Sequence, residues 1–236
     1  MTKLIKILAI LTLLIFMTGC EEKPIGKITK DTYNLKSEMD PRLKAYPEAV
    51  EWYEDSDSYP EAAFSLGYFY QNTLKDYKES IIWYKRAYEK GYVKAANNMA
   101  SVYIKLKDYN NAKKWYDIAI SQNVIDAYFN VALLYDTIIK DKKKAIEYYI
   151  LAIERESSSI SSLKNIALLY IEIKDNIKAS AYLLTLIEYP NYTKEEVLNY
   201  LKNDLKIDDE TIKKGYELQL TMPGLPRRYK GDLNLD

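Results

Sequence analysis

The chain has 236 residues, 48% of them hydrophobic, which is enough for one elongated domain or two small ones with a buried core. Its 34 basic and 34 acidic residues balance, arguing against a nucleic-acid binder driven by net charge, and the absence of histidine removes histidine-based triads and histidine metal sites. A single cysteine precludes an internal disulfide, and seven glycines and seven prolines among abundant helix formers give the composition of an all-α protein.

The chain opens MTKLIKILAILTLLIFMTGC. Lys3 and Lys6 precede an apolar run from Ile7 to Met17, interrupted only by Thr12. The run is too short to span a bilayer easily and suits the apolar stretch of a secretory signal. Met17-Thr18-Gly19-Cys20 follows at once, and Cys20 is the lone cysteine. These residues resemble the bacterial lipobox, with Met17 where leucine is usual. The resemblance implies that residues 1–19 are removed as a lipoprotein signal peptide and that Cys20 is acylated and holds the protein on a membrane. The processed chain would carry 32 basic and 34 acidic residues. Glu21, rather than aspartate, implies by resemblance to Gram-negative lipoproteins an outer-membrane location facing the periplasm. Residues 20–45 then read as the acylated cysteine and a flexible tether, spanning roughly 25–30 Å on average.

From residue 46 to 190 the text repeats. Gly67, Ala100, Ala132 and Ala167 align at spacings of 33, 32 and 35, and three residues after each stands Tyr70, Tyr103, Tyr135 or Tyr170. A second column holds Tyr84, Tyr116, Tyr149 and Leu183, and a third Ala87, Ala119, Ala152 and Leu186. Each unit reads as two amphipathic helices. The second is opened by Asp76, Asp108, Asp141 or Asp175 as a cap, and small residues let the paired helices approach closely. PEAVEWYEDS (47–56) matches a second helix through Ala49, Trp52 and Tyr53, giving a half repeat before four whole ones.

These columns resemble tetratricopeptide repeats (TPR), and WYKRAYEKGYVKAA (83–96) resembles their Sel1-like subclass, although the usual glycine-rich loop is missing. The resemblance implies a right-handed α-solenoid whose concave groove is lined by first helices, with capping helices at its C-terminal end. Residues 191–220 supply those caps. Thr193 and Glu196 have capping-box spacing, and Ile207, Asp208 and Ile212 have that of a staple around an N-cap. Pro223, Gly224 and Pro226 make 221–236 an extended tail, with Arg227, Arg228 and Lys230 solvated.

Twelve of the 24 tyrosines fall in repeat columns. Among the remainder, Tyr46, Tyr68, Tyr92 and Tyr128 are candidates for an aromatic, glycan-binding surface. No residues stand at catalytic or cofactor-binding spacing, so the reading is non-enzymatic and without a cofactor.

By resemblance, the asparagine two positions before the small residue points into the groove and grips the backbone of an extended ligand. Asn98, Asn130 and Asn165 hold that position, with Ser65 in the first repeat. Lys94, Lys105 and Lys164 are groove-facing candidates for acidic side chains or a terminal carboxylate. A second account has each asparagine bonding within the superhelix. The expected partner is another envelope protein or peptide segment, with the membrane reached through Cys20. A fixed subunit of an envelope assembly machine and a peptidoglycan-binding or glycan-cleaving protein stand as alternatives.

Overall fold

Small and aromatic columns at these spacings pair helices, and that is how they fold. The computed structural model describes residues 38–155 and 159–235. The signal-peptide and Cys20 readings, most of the tether, and part of the serine run at 157–162 lie outside those residues.

Among the described residues, every regular element is helical. α1 (Pro47–Asp55) is the half repeat. The first hairpin pairs α2 (Pro60–Phe69, continued by a π-helical turn Tyr70–Leu74) with α3 (Tyr77–Glu89). The second pairs α4 (Lys94–Lys105) with α5 (Tyr109–Ser121). The third pairs α6 (Asp126–Leu133, continued by a π-helical turn Leu134–Ile139) with α7 (Lys142–Glu154). The fourth pairs α8 (Ser159–Glu172) with α9 (Asn176–Leu184), which ends in a 3-10 turn (Thr185–Glu188). α10 (Lys194–Asn199, continued by a π-helical turn Tyr200–Asp204) and α11 (Asp209–Thr221) close the stack. Consecutive helices pack on one another from α1 to α9, and α11 returns to pack on α9.

The four aspartates cap the second helices. Asp76, Asp108, Asp141 and Asp175 each accept a bond from the backbone N–H three residues on, at 3.1–3.2 Å. Such a cap contributes about 1 kcal/mol. The π-helical turns account for one residue of the uneven repeat lengths. Tyr70 and Asp76 are six residues apart, as are Tyr135 and Asp141, whereas Tyr103–Asp108 and Tyr170–Asp175 are five apart. In every case the aspartate N–H donates to the tyrosine carbonyl, at 2.8–3.0 Å. The wider π turn absorbs the extra residue, so tyrosine and cap keep register.

Inside each hairpin the small column permits contact. Ala100, Ala132 and Ala167 are fully buried. At Gly67 a Cβ would lie 2.6 Å from Cδ1 of Tyr84, and Ser80 Oγ donates to the Gly67 carbonyl at 2.8 Å. In the third and fourth hairpins the tyrosine column meets the second-helix aromatics face to face: Tyr135 stacks on Tyr148 at 5.5 Å and Tyr170 on Tyr182 at 5.7 Å.

Both ends depart from the sequence reading. Leu43, assigned to the tether, is fully buried in a 3-10 turn (Pro41–Ala45), because it is the apolar side chain of that segment and Pro41 presets the turn. The C-terminal stretch is non-helical as expected, with Arg227 and Lys230 exposed, but its apolar residues are packed. Met222, Leu225, Leu233 and Leu235 are buried; Arg227 lies 4.6 Å over the Tyr189 ring and donates to the Glu188 carbonyl at 2.9 Å. Arg228 donates to the Met222 carbonyl at 2.6 Å. Proline and glycine forbid a helix there; they do not stop four apolar side chains from docking. The predicted caps form: Thr193 and Glu196 close a capping box, and Asp208 caps α11 between buried Ile207 and Ile212.

Candidate functional site

Asn98, Asn130 and Asn165 are half-buried on first helices, and each donates one amide hydrogen to another side chain. Asn98 Nδ2 donates to the Tyr84 hydroxyl at 3.2 Å, and that hydroxyl donates to Gln71 Oε1 at 2.7 Å. Asn165 Nδ2 donates to the Tyr149 hydroxyl at 2.9 Å, which donates to Asp136 Oδ2 at 3.3 Å. The two chains have one design. An acceptor near the end of a first helix takes the tyrosine proton from its partner helix, and the next repeat's asparagine completes the link. Asn130 departs from it. Ile104 stands where Gln71 and Asp136 stand and accepts nothing, so the Tyr116 hydroxyl pairs with Ser101 Oγ at 3.2 Å and Asn130 Nδ2 turns to Asn97 Oδ1 at 2.9 Å. The asparagine row therefore stitches successive repeats together.

These bonds use one of the two amide hydrogens of each side chain. Burial pushes the Tyr84 and Tyr149 hydroxyls well above the usual tyrosine range, so both stay protonated donors near neutral pH. Tyr149→Phe removes one link and strands Asn165 and Asp136. A loss of about 1 kcal/mol is expected in denaturant unfolding. Most of it should vanish when the substitution is made in an Asn165→Ala background.

The fourth repeat breaks the pattern. Leu183 stands in the column of Tyr84, Tyr116 and Tyr149, and Val197 follows it by 14 residues, as Asn98 and Asn130 follow Tyr84 and Tyr116. Ring, hydroxyl and amide are all missing from the notch between first helices α8 and α10. What remains is a cavity of about 330 Å³. Leu183, Leu186 and Val197 form its apolar part, Tyr192 and Tyr200 its aromatic part, and Lys164, Asn191 and Glu196 its polar rim. Glu196 is engaged by the α10 cap: the Thr193 N–H donates to it at 2.9 Å and the Thr193 hydroxyl at 3.1 Å, holding its carboxyl below the ordinary range. Lys164 Nζ stands 5.9 Å over the Tyr192 ring, exposed, and in no ion pair among the described residues.

The structure thus brings Lys164 to a cavity and leaves Lys94 and Lys105 elsewhere. Those two are exposed at the first and last positions of α4, on the face that carries Asn98. Of the aromatic-surface candidates, Tyr128 is buried with Arg155 4.4 Å over its ring, Tyr92 packs against Phe64 at 4.7 Å, and Tyr46 packs against Phe69 at 4.9 Å. Tyr68 remains, 57% exposed. The cavity was not foreseen from sequence, although its signal was present as the leucine that interrupts a tyrosine column.

The Sel1 repeat family model matches residues 60–92, and the tetratricopeptide repeat model matches 93–123 and 125–159. Sel1 and tetratricopeptide repeats therefore make up residues 60–123 and 125–159. Among solved structures, this repeat protein is similar to a Sel1 repeat protein from Oxalobacter formigenes. That likeness has a TM-score of 0.52 and 24% identity, over 76% of this chain and 81% of the other, and it bears on the fold. No curated protein matches the sequence. The models meet in the first two hairpins, where the Sel1-like turn Lys90-Gly91 gives way to the TPR pattern.

Proposed function

We propose that this repeat protein is a membrane-anchored scaffold of the bacterial envelope, binding an extended protein segment along its first helices. Repeats of this kind bind other proteins. The observation that carries the reading is the cavity between α8 and α10, lined by Lys164, the residue that precedes Asn165 in the chain. It offers an apolar floor for one side chain, and the Lys164 ammonium for a carboxylate next to that side chain. The second amide hydrogens of Asn98, Asn130 and Asn165 supply donors to the segment's backbone, and Lys94 and Lys105 supply cations farther along. Cys20, acylated after removal of residues 1–19, holds the scaffold on the outer membrane facing the periplasm.

The test uses the full chain in its native envelope. Leu183→Tyr restores the ring of the other repeats and should fill the cavity, and Lys164→Glu should repel the acid. Both variants are expected to lose the crosslinked partner that wild type retains, with unchanged circular-dichroism melting. Cys20→Ser, in a chain exported by another cleavable secretory signal in place of residues 1–19, should move the protein from the membrane fraction to the soluble one. A partner retained by both cavity variants overturns the groove reading; a Cys20→Ser protein still in the membrane fraction overturns the anchor.

A further inference from the structure

The turns within the hairpins carry a second pattern. At the end of each first helix of the four repeats, or just after it, stands an aliphatic residue followed by a lysine with left-handed backbone. These are Leu74-Lys75, Leu106-Lys107, Ile139-Lys140 and Ile173-Lys174, with lysine φ of 55°, 61°, 64° and 63°. Glycine or asparagine suits that backbone, and a lysine there costs conformational energy. The turns between hairpins, on the opposite edge of the stack, do use Gly91 (φ 96°) and Asn123 (φ 59°). Turn geometry therefore does not account for the lysines.

Nor does packing account for the aliphatic residues. Leu106, Ile139 and Ile173 are 42%, 45% and 49% exposed. All four lysines are exposed, and none is in an ion pair among the described residues. The aspartates that follow them turn their carboxylates onto helix N-termini. The Lys142–Glu172 pair at 2.7 Å sets the third and fourth turns side by side, where Lys143 and Lys144 add positive charge and Lys178 is paired with Asp175 at 3.0 Å. The closing hairpin has Leu205-Lys206 at its turn, but Asp208, Asp209 and Glu210 surround it with negative charge.

We propose that this hairpin edge, centred on Ile139-Lys140 and Ile173-Lys174, docks on an anionic bilayer surface. The aliphatic side chains enter the headgroup boundary and the lysines meet lipid phosphates. Lysine is depleted at the cores of protein–protein interfaces, whereas lysine beside exposed aliphatics is the composition of segments that lie on membranes. A row of exposed turns repeated along the stack suits a planar surface. The proposal stands apart from acylation, so its test is made without it.

In the processed chain, residues 20–236 with Cys20→Ser, a single cysteine replaces either Lys140 or Asn123 and carries an environment-sensitive fluorophore. Vesicles of phosphatidylglycerol and phosphatidylcholine should shift the emission of the label at 140 to the blue and leave the label at 123 unchanged. Pure phosphatidylcholine vesicles should shift neither, and high salt should abolish the response. Replacing Lys75, Lys107, Lys140 and Lys174 by asparagine, which position 123 already tolerates in this backbone, should weaken flotation with the anionic vesicles by at least about tenfold without changing the melting curve. Equal responses at both positions, no response at 140, or the same response on neutral vesicles overturns the proposal. A response of the 140 label to polyglutamate but not to vesicles also overturns it, in favour of an acidic protein surface.

Discussion

Gly215→Val should destabilise the closing hairpin by about 3 kcal/mol, lowering the melting temperature of that region by about 10 °C. Gly215 is where α11 crosses α9 most closely. A Cβ at this position would lie 2.5 Å from Ser180 Cβ, 2.9 Å from the Ile177 carbonyl oxygen and 3.0 Å from the Ala181 nitrogen. Two of these obstacles are backbone in the middle of a helix, so the strain is relieved only by lifting α11 away. Met222 and the buried tail residues follow α11 in the chain and should be released with it. In a stack whose units touch only their neighbours, the damage stays at that end. Hydrogen exchange should therefore accelerate in α10, α11 and residues 222–235 while α3 to α5 keep their protection. Gly67→Ala is the control. Its obstacle is the Tyr84 ring at 2.6 Å, a side chain that can tilt, and the other three repeats already carry alanine there. A cost of about 1 kcal/mol or less is expected. Uniform loss of protection in Gly215→Val, or an equal cost for Gly67→Ala, would contradict this account.

Alkaline pH should unfold the protein more steeply than acid does. Burial pushes the hydroxyls of Tyr84, Tyr149 and Tyr182 far above the ordinary tyrosine value; bonds from Asn98 and Asn165 pull the first two back only in part, while Tyr170 and Glu154 push Tyr182 further up. All three are at most 5% exposed. Below about pH 10 both the folded and unfolded states hold these protons, so stability is flat. Above it the unfolded chain releases them and the native state does not, so the native state binds more protons and stability falls as pH rises. Each fully retained proton is worth about 1.4 kcal/mol per pH unit, and the three together up to about 4 kcal/mol per unit. Melting followed by circular dichroism should be constant to about pH 10 and drop sharply above it. Tyrosinate absorbance for these residues should appear with the unfolding transition rather than before it. Tyr84→Phe should flatten the slope by about one proton. Gradual tyrosinate formation in a still-folded protein would count against it.

The repeat was legible because its columns carry distinct physical duties. Gly67, Ala100, Ala132 and Ala167 are small because a partner helix touches them, and Asp76, Asp108, Asp141 and Asp175 recur because four helix starts need a cap. Such local requirements are visible in one sequence. The asparagine bonds were not, because they depend on what stands across the repeat boundary. Asn130 occupies the same column as Asn98 and Asn165 yet bonds differently, for want of an acceptor at Ile104. The cavity follows from a subtraction at Leu183, and a column of identities shows a substitution without showing the volume it leaves. The docked C-terminal stretch escaped for a similar reason. Its four apolar residues are irregularly spaced, so no helical or strand period announces them.

The π-helical turns bear on how such an array is put together. Because one residue can be gained or lost between Tyr and Asp while the tyrosine and the cap keep register, hairpins of unlike length close in the same way. A hairpin with the five-residue segment, such as α4–α5, and one with the six-residue segment, such as α6–α7, are in that respect interchangeable parts. Hairpin length can drift by a residue without disturbing the turn, whereas the side-chain link to the next repeat changes with the residue after the tyrosine: Gln71 and Asp136 accept, and Ile104 does not.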